Sequence, residues 1–126
     1  MNDDDFEKII KKAIEGIPAE FKDKMENVSI VFADHPTAEQ LRSVYSTGQG
    51  RLLLGLYQGI PKIRRGHYGI GPTLPDKITI FKIPLLRISK NLVEAELNIR
   101  NTVIHEIAHH FGMSEEEIQN TKSNPK

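Results

Sequence analysis

Residues Asn91 to Phe111 read as one long helix, and that helix limits what the rest of the chain can become. Asn91 is a good N-cap and Glu94, three residues on, completes a capping box. The span predicts a rod of about 30 Å at 1.5 Å per residue. Val93, Leu97, Ile104, Ala108 and Phe111 form one apolar stripe, and Leu92, Ile99, Val103 and Ile107 form its neighbour. Together they exceed a narrow surface stripe, so the helix is expected to be covered over much of its circumference. One lane stays polar: Asn98, Thr102, His105, His109 and Gly112.

That lane carries His105-Glu106-Ile107-Ala108-His109, an H-E-x-x-H pattern. Two His four residues apart share a helical face and can grip one metal ion, and the Glu between them can act as general base. A catalytic zinc needs a third protein ligand and keeps its fourth position for water. Gly112 can adopt the left-handed conformation that stops a helix, which would swing Glu115 back toward the metal. The spacing H-E-x-x-H-x-x-G-x-x-E matches the metzincin pattern, with Glu where that pattern has a third His. Glu116 and Glu117 compete for the role but fall outside that register. The chemistry this predicts is metal-assisted hydrolysis, in which zinc activates a water and polarises a carbonyl while Glu106 moves the proton. One further donor to the developing oxyanion is expected from a Gly-rich segment, where Tyr68 is favoured over His67, Arg64 and Arg65.

The remainder of the chain reads as support for this helix. Asp3 to Glu15 predicts a first helix, with Phe6, Ile9, Ile10, Ala13 and Ile14 on one stripe and Gly16 as its stop. Pro18 opens a short second helix to Met25. Strands are expected at Val28 to Phe32, Leu52 to Tyr57 and Lys77 to Lys82. Thr37 with Gln40 forms a capping box for a short helix to Val44. Residues 61 to 76, rich in Gly and Pro, read as a long connection, and Pro84 begins a helical turn to Ile88. Tyr57 reads as half-buried sheet packing and His110 as a packing or supporting residue, pointing about 100° from His109. A strand near the cleft, such as Leu52 to Tyr57, can pair with an extended peptide.

The chain has no Cys, so a zinc here must be held by His and carboxylate. Its formal net charge is zero, which points to neither nucleic acid nor membrane as partner. The acidic start MNDDDFEKII lacks a signal-peptide core and no apolar run approaches a membrane span, so the expected setting is cytoplasmic. A length of 126 residues predicts one domain, 1–126.

Three segments, LLLGLYQGIP at Leu52 to Pro61, LPDKITIFKIPLLR at Leu74 to Arg87 and NTVIHEIAHHFGMSEEEI at Asn101 to Ile118, resemble the bacterial zincin-like metallopeptidase family, also called the minimal metalloprotease-like group. The FEKIIKKAIEGIPAEF opening resembles its N-terminal helices, so the likeness covers nearly the whole chain. The resemblance implies a compact α+β fold: a small mixed sheet with helices and a central zinc-binding helix. It also implies a zinc metallopeptidase role. His105, Glu106, His109 and Gly112 match the family motif residue by residue, whereas position 115 has Glu where the family usually has Asp.

The expected protein is therefore a monomeric peptidase acting on a peptide or protein, with Glu106 and Tyr68 catalytic and Zn2+ on His105, His109 and Glu115. Two rivals share the fold. One is a zinc-containing module that binds a peptide or protein without cutting it. The other is a structural zinc closed by a fourth ligand such as His67 or His110.

Overall fold

A computed structural model describes residues 1–45, 53–59 and 75–112. Helix α1, Asp3–Glu15, starts where Asn2 accepts a hydrogen bond from the Asp5 amide at 2.8 Å, and Asp3, Asp4 and Asp5 face the positive end of the helix dipole. Helix α2, Ala19–Lys24, follows Pro18. Strand β1 is Val28–Ala33 and helix α3 is Ala38–Tyr45. The predicted capping box at the start of α3 forms: the Thr37 amide donates to Gln40 Oε1 at 2.8 Å and the Gln40 amide to Thr37 Oγ1 at 3.0 Å.

Strands β2, Gly55–Gln58, and β3, Asp76–Phe81, complete a mixed sheet of order β1-β3-β2. The pairing of β1 with β3 is parallel and that of β2 with β3 antiparallel. Helix α4, Lys82–Arg87, follows β3 without a connecting residue, and α5 spans Leu92–His110. The family's α+β architecture with a small mixed sheet is therefore present.

Several boundaries differ from the sequence reading, most by one residue. The strand expected from Leu52 begins at Gly55, and residue 52 lies outside the described residues. Asp76, assigned to the long connection, is the first residue of β3. Lys82 leaves the strand and begins a helix two residues ahead of Pro84. Its side chain is nearly buried and its ammonium donates to Asp3 Oδ1 at 2.9 Å, which ties the end of the sheet to the start of α1. The rest of the connection, 60–74, is outside the described residues.

The core lies between α1, α2, α5 and one face of the sheet. Phe6, Ile10, Ala13, Ile17 and Phe21 pack with Ile78, Ile80 and Leu85, and with Ala95, Ile99, Val103, Ile104, Ile107 and Ala108 of α5. Each large side chain buried here contributes about 1.5–3 kcal/mol of transfer free energy. The covered part of α5 is narrower than expected, taking in Ala95, Ile99, Val103, Ile104, Ile107 and Ala108. Leu92 and Val93 remain 60% and 80% exposed, and Leu97 and Phe111 are also exposed. Phe111 meets the Lys24 ammonium over its ring at 5.1 Å and the edge of the His110 ring at 5.0 Å between centroids.

Two glycines show how closely elements approach α5. A Cβ on Gly55 would lie 2.6 Å from Thr102 Cγ2 and 3.3 Å from the Thr79 carbonyl oxygen. Thr102 cannot easily rotate away, because its hydroxyl donates to the Asn98 carbonyl at 2.7 Å. A Cβ on Gly16 would lie 2.7 Å from Arg100 Nη1, the far end of a flexible side chain. Gly55→Ala is therefore expected to cost about 1–3 kcal/mol in urea unfolding. Gly16→Ala should stay within about 0.5 kcal/mol of wild type. Equal costs would contradict the close approach of β2 to α5.

Candidate metal centre

The C-terminal half of α5 brings together the motif residues. The Asn91 side chain accepts from the Glu94 amide at 2.8 Å, as its cap role requires, and the helix continues to His110 with Phe111 as C-cap. Gly112 then takes φ of 70°, the left-handed conformation expected of it.

His105 and His109 lie one helical turn apart, with ring centroids 4.2 Å apart and planes tilted by 43°. His105 is half-buried and His109 is exposed, so the pair opens toward solvent. The rest of the polar lane is held by local bonds: Asn98 Nδ2 donates to Ser89 Oγ at 2.9 Å and the Thr102 hydroxyl to the Asn98 backbone carbonyl at 2.7 Å.

Glu106 points toward the sheet. The Tyr57 amide donates to its Oε1 at 3.0 Å. The ladder explains this: the Phe81 amide donates to the Leu54 carbonyl at 2.9 Å, and hydrogen bonding alternates along an antiparallel pair. Tyr57 therefore turns its N–H away from β3, toward α5. Burial of the Glu106 carboxyl pushes its pKa above the ordinary value of 4.5, and the Tyr57 amide and nearby His109 only partly offset this.

A carboxyl raised in the fold is fully compatible with stability while protonated. Its contribution is lost as pH rises from the ordinary carboxylate value through the raised one. In metal-free protein, Glu106→Gln should thus raise the melting temperature at pH 8 and lose that advantage by pH 4. A pH-independent difference would speak against a buried, ionising Glu106.

Around Glu106 lie groups whose roles the sequence showed only in part. Tyr57 is half-buried packing, as expected, and its ring stacks on His110 with centroids 3.9 Å apart and planes 13° apart. Its hydroxyl donates to Asp76 Oδ2 at 2.7 Å. His110 is thus a packing residue. Asp76 carries no sequence signal beyond being an acid near a strand start, and a backbone amide such as that of Tyr57 carries none.

The donor set suits zinc in kind: two imidazoles one turn apart on an open face, and no thiol. Among the described residues no third His, Asp or Glu joins them to make a metal-holding group. Glu115, Tyr68 and the alternatives Glu116, Glu117, Arg64, Arg65 and His67 lie outside the described residues. Among the described residues no helix is long and apolar enough to cross a membrane.

No curated protein matches the sequence. The family model for zincin-like metallopeptidases matches residues 25–124, a span that holds the whole sheet, the His pair, Glu106 and Gly112. The chain belongs to the zincin-like metallopeptidase family.

Proposed function

We propose that the protein is a zinc-dependent peptidase, cytoplasmic and monomeric, that hydrolyses peptide bonds in a peptide or protein substrate. The observation that carries this reading is the arrangement on α5: a solvent-open pair of imidazoles beside a carboxylate that a backbone amide of the sheet holds in place. His105 and His109 would hold zinc with Glu115 as third ligand. Zinc, when bound, supplies Lewis acidity, lowering the pKa of a water from about 15.7 to about 7 and polarising the scissile carbonyl.

Glu106 takes the proton of the attacking water and passes it to the leaving amine. Its burial favours a base that gives the proton up again, since a carboxyl with a raised pKa both accepts and releases protons closer to neutrality. Tyr68 is assigned as the further donor to the oxyanion.

The test is digestion of a broad peptide library by zinc-loaded protein, with a chelator control and zinc added back. Cleavage that the chelator stops and zinc restores supports the reading. One equivalent of tightly held zinc with no cleavage of any member would replace it with a non-catalytic binding module.

A further inference from the structure

We propose that Tyr57, braced by Asp76 and His110, is a positioning residue that fixes the Glu106 carboxylate for proton transfer. The inference rests on the peptidase reading of Glu106 and goes beyond it by assigning what aims that group.

β2 is four residues long and, among the described strands, lies at the edge of the sheet and pairs with β3 alone. Such a strand is a poor reference point unless something holds it. Among the described residues, three contacts hold Tyr57. Its amide donates to Glu106 Oε1 at 3.0 Å. Its hydroxyl donates to Asp76 Oδ2 at 2.7 Å, a charge-assisted bond to the central strand. Its ring stacks on His110 at 3.9 Å.

These contacts form a closed loop. Glu106 and His110 are one turn apart on the same side of α5, so the amide and the ring of one residue bear on neighbouring positions of one helix. Asp76 lies two residues before Ile78, the register partner of Tyr57, and so reaches it diagonally across the sheet. The side chain of Tyr57 thus fixes where its own amide sits relative to α5. Gly55, two residues earlier, permits the approach by leaving room for Thr102. With Oε1 engaged by the amide, Oε2 is the oxygen that accepts the proton, and the tilt of the carboxylate is set by the strand. Misplacement of a catalytic group by about 1 Å can cost about 10²-fold in rate.

The test uses full-length zinc-loaded Tyr57→Phe, Tyr57→Ala, His110→Ala and His110→Phe. It reads kcat, KM, zinc affinity and hydrogen exchange at the residue 57 amide. Tyr57→Phe keeps the stack and releases Asp76, so kcat should fall by about tenfold, less than the rate loss of a full displacement. KM and zinc affinity should hold, and the residue 57 amide should exchange faster. Tyr57→Ala should lose more. His110→Phe should restore the kcat and amide protection lost in His110→Ala. Unchanged kcat across the series, a kcat loss without faster amide exchange, or failure of His110→Phe to rescue would overturn the proposal while leaving the peptidase reading intact. Absence of hydrolysis by the wild-type protein would overturn both.

Discussion

Glu106→Gln is expected to lower kcat for peptide hydrolysis by at least about 10²–10⁴-fold, the usual contribution of a positioned general base. Zinc binding should survive. Gln has the shape of Glu, and its Oε1 can still accept the Tyr57 amide that now reaches the carboxylate at 3.0 Å. The substitution therefore leaves the strand-to-helix contact in place and removes only the ability to take and return a proton. Steady-state kinetics with metal analysis on the same preparation separate the two effects. Substantial activity in a zinc-loaded Glu106→Gln protein would remove Glu106 from the mechanism. Loss of zinc along with activity would make it a structural or ligating group instead.

The second large effect concerns the metal. His105→Ala and His109→Ala should each weaken zinc by more than the about 10–100-fold seen when only an outer partner of a ligand is removed. Zinc at 100 times its Kd stabilises the native state by about 2.7 kcal/mol. The wild-type melting temperature should therefore climb with added zinc, and those of the two His variants should not. Both rings leave the same open face of α5, 4.2 Å apart, so one ion accounts for both losses. Glu115→Ala belongs in the same series. A loss comparable to the His variants would support it as third ligand, and an unchanged affinity would turn attention to Glu116 or Glu117. Undiminished zinc-dependent stabilisation in both His variants would place the metal elsewhere.

Local hydrogen-bonding signals were the most legible part of the sequence. The Asn91 cap, the Thr37–Gln40 box and the Gly112 stop each depend on a few adjacent residues, and each is found where the spacing placed it. The His pair was legible for the same reason, since a helix puts residues four apart on one face. Coverage of α5 was less so. Periodicity shows which residues share a stripe, not which of them a neighbouring element covers, and so Leu92, Val93 and Leu97 were grouped with the core although they face solvent. The contact that defines the site was not legible at all. The Tyr57 amide lies 49 positions from Glu106, and a main-chain N–H gives no clue from residue type. Asp76 likewise meets Tyr57 only because the antiparallel register of β2 on β3 carries them to a common diagonal.

The order of the sheet also bears on how the chain reaches this state. Among the described strands β1 and β2 are each bonded to β3, which lies between them and comes last of the three in sequence. Val28 must find Asp76, far along the chain, before the parallel pair exists. Closing so wide a separation is entropically costly, and non-local parallel pairing slows folding relative to helical bundles of similar size. During synthesis, α1, α2 and β1 emerge well before the strand that completes their core. Until then the apolar residues of β1, Val28, Ile30 and Phe32, have no sheet partner. The helix that bears the His pair emerges after the whole sheet, so the contact between Glu106 and the Tyr57 amide can form only when both are out.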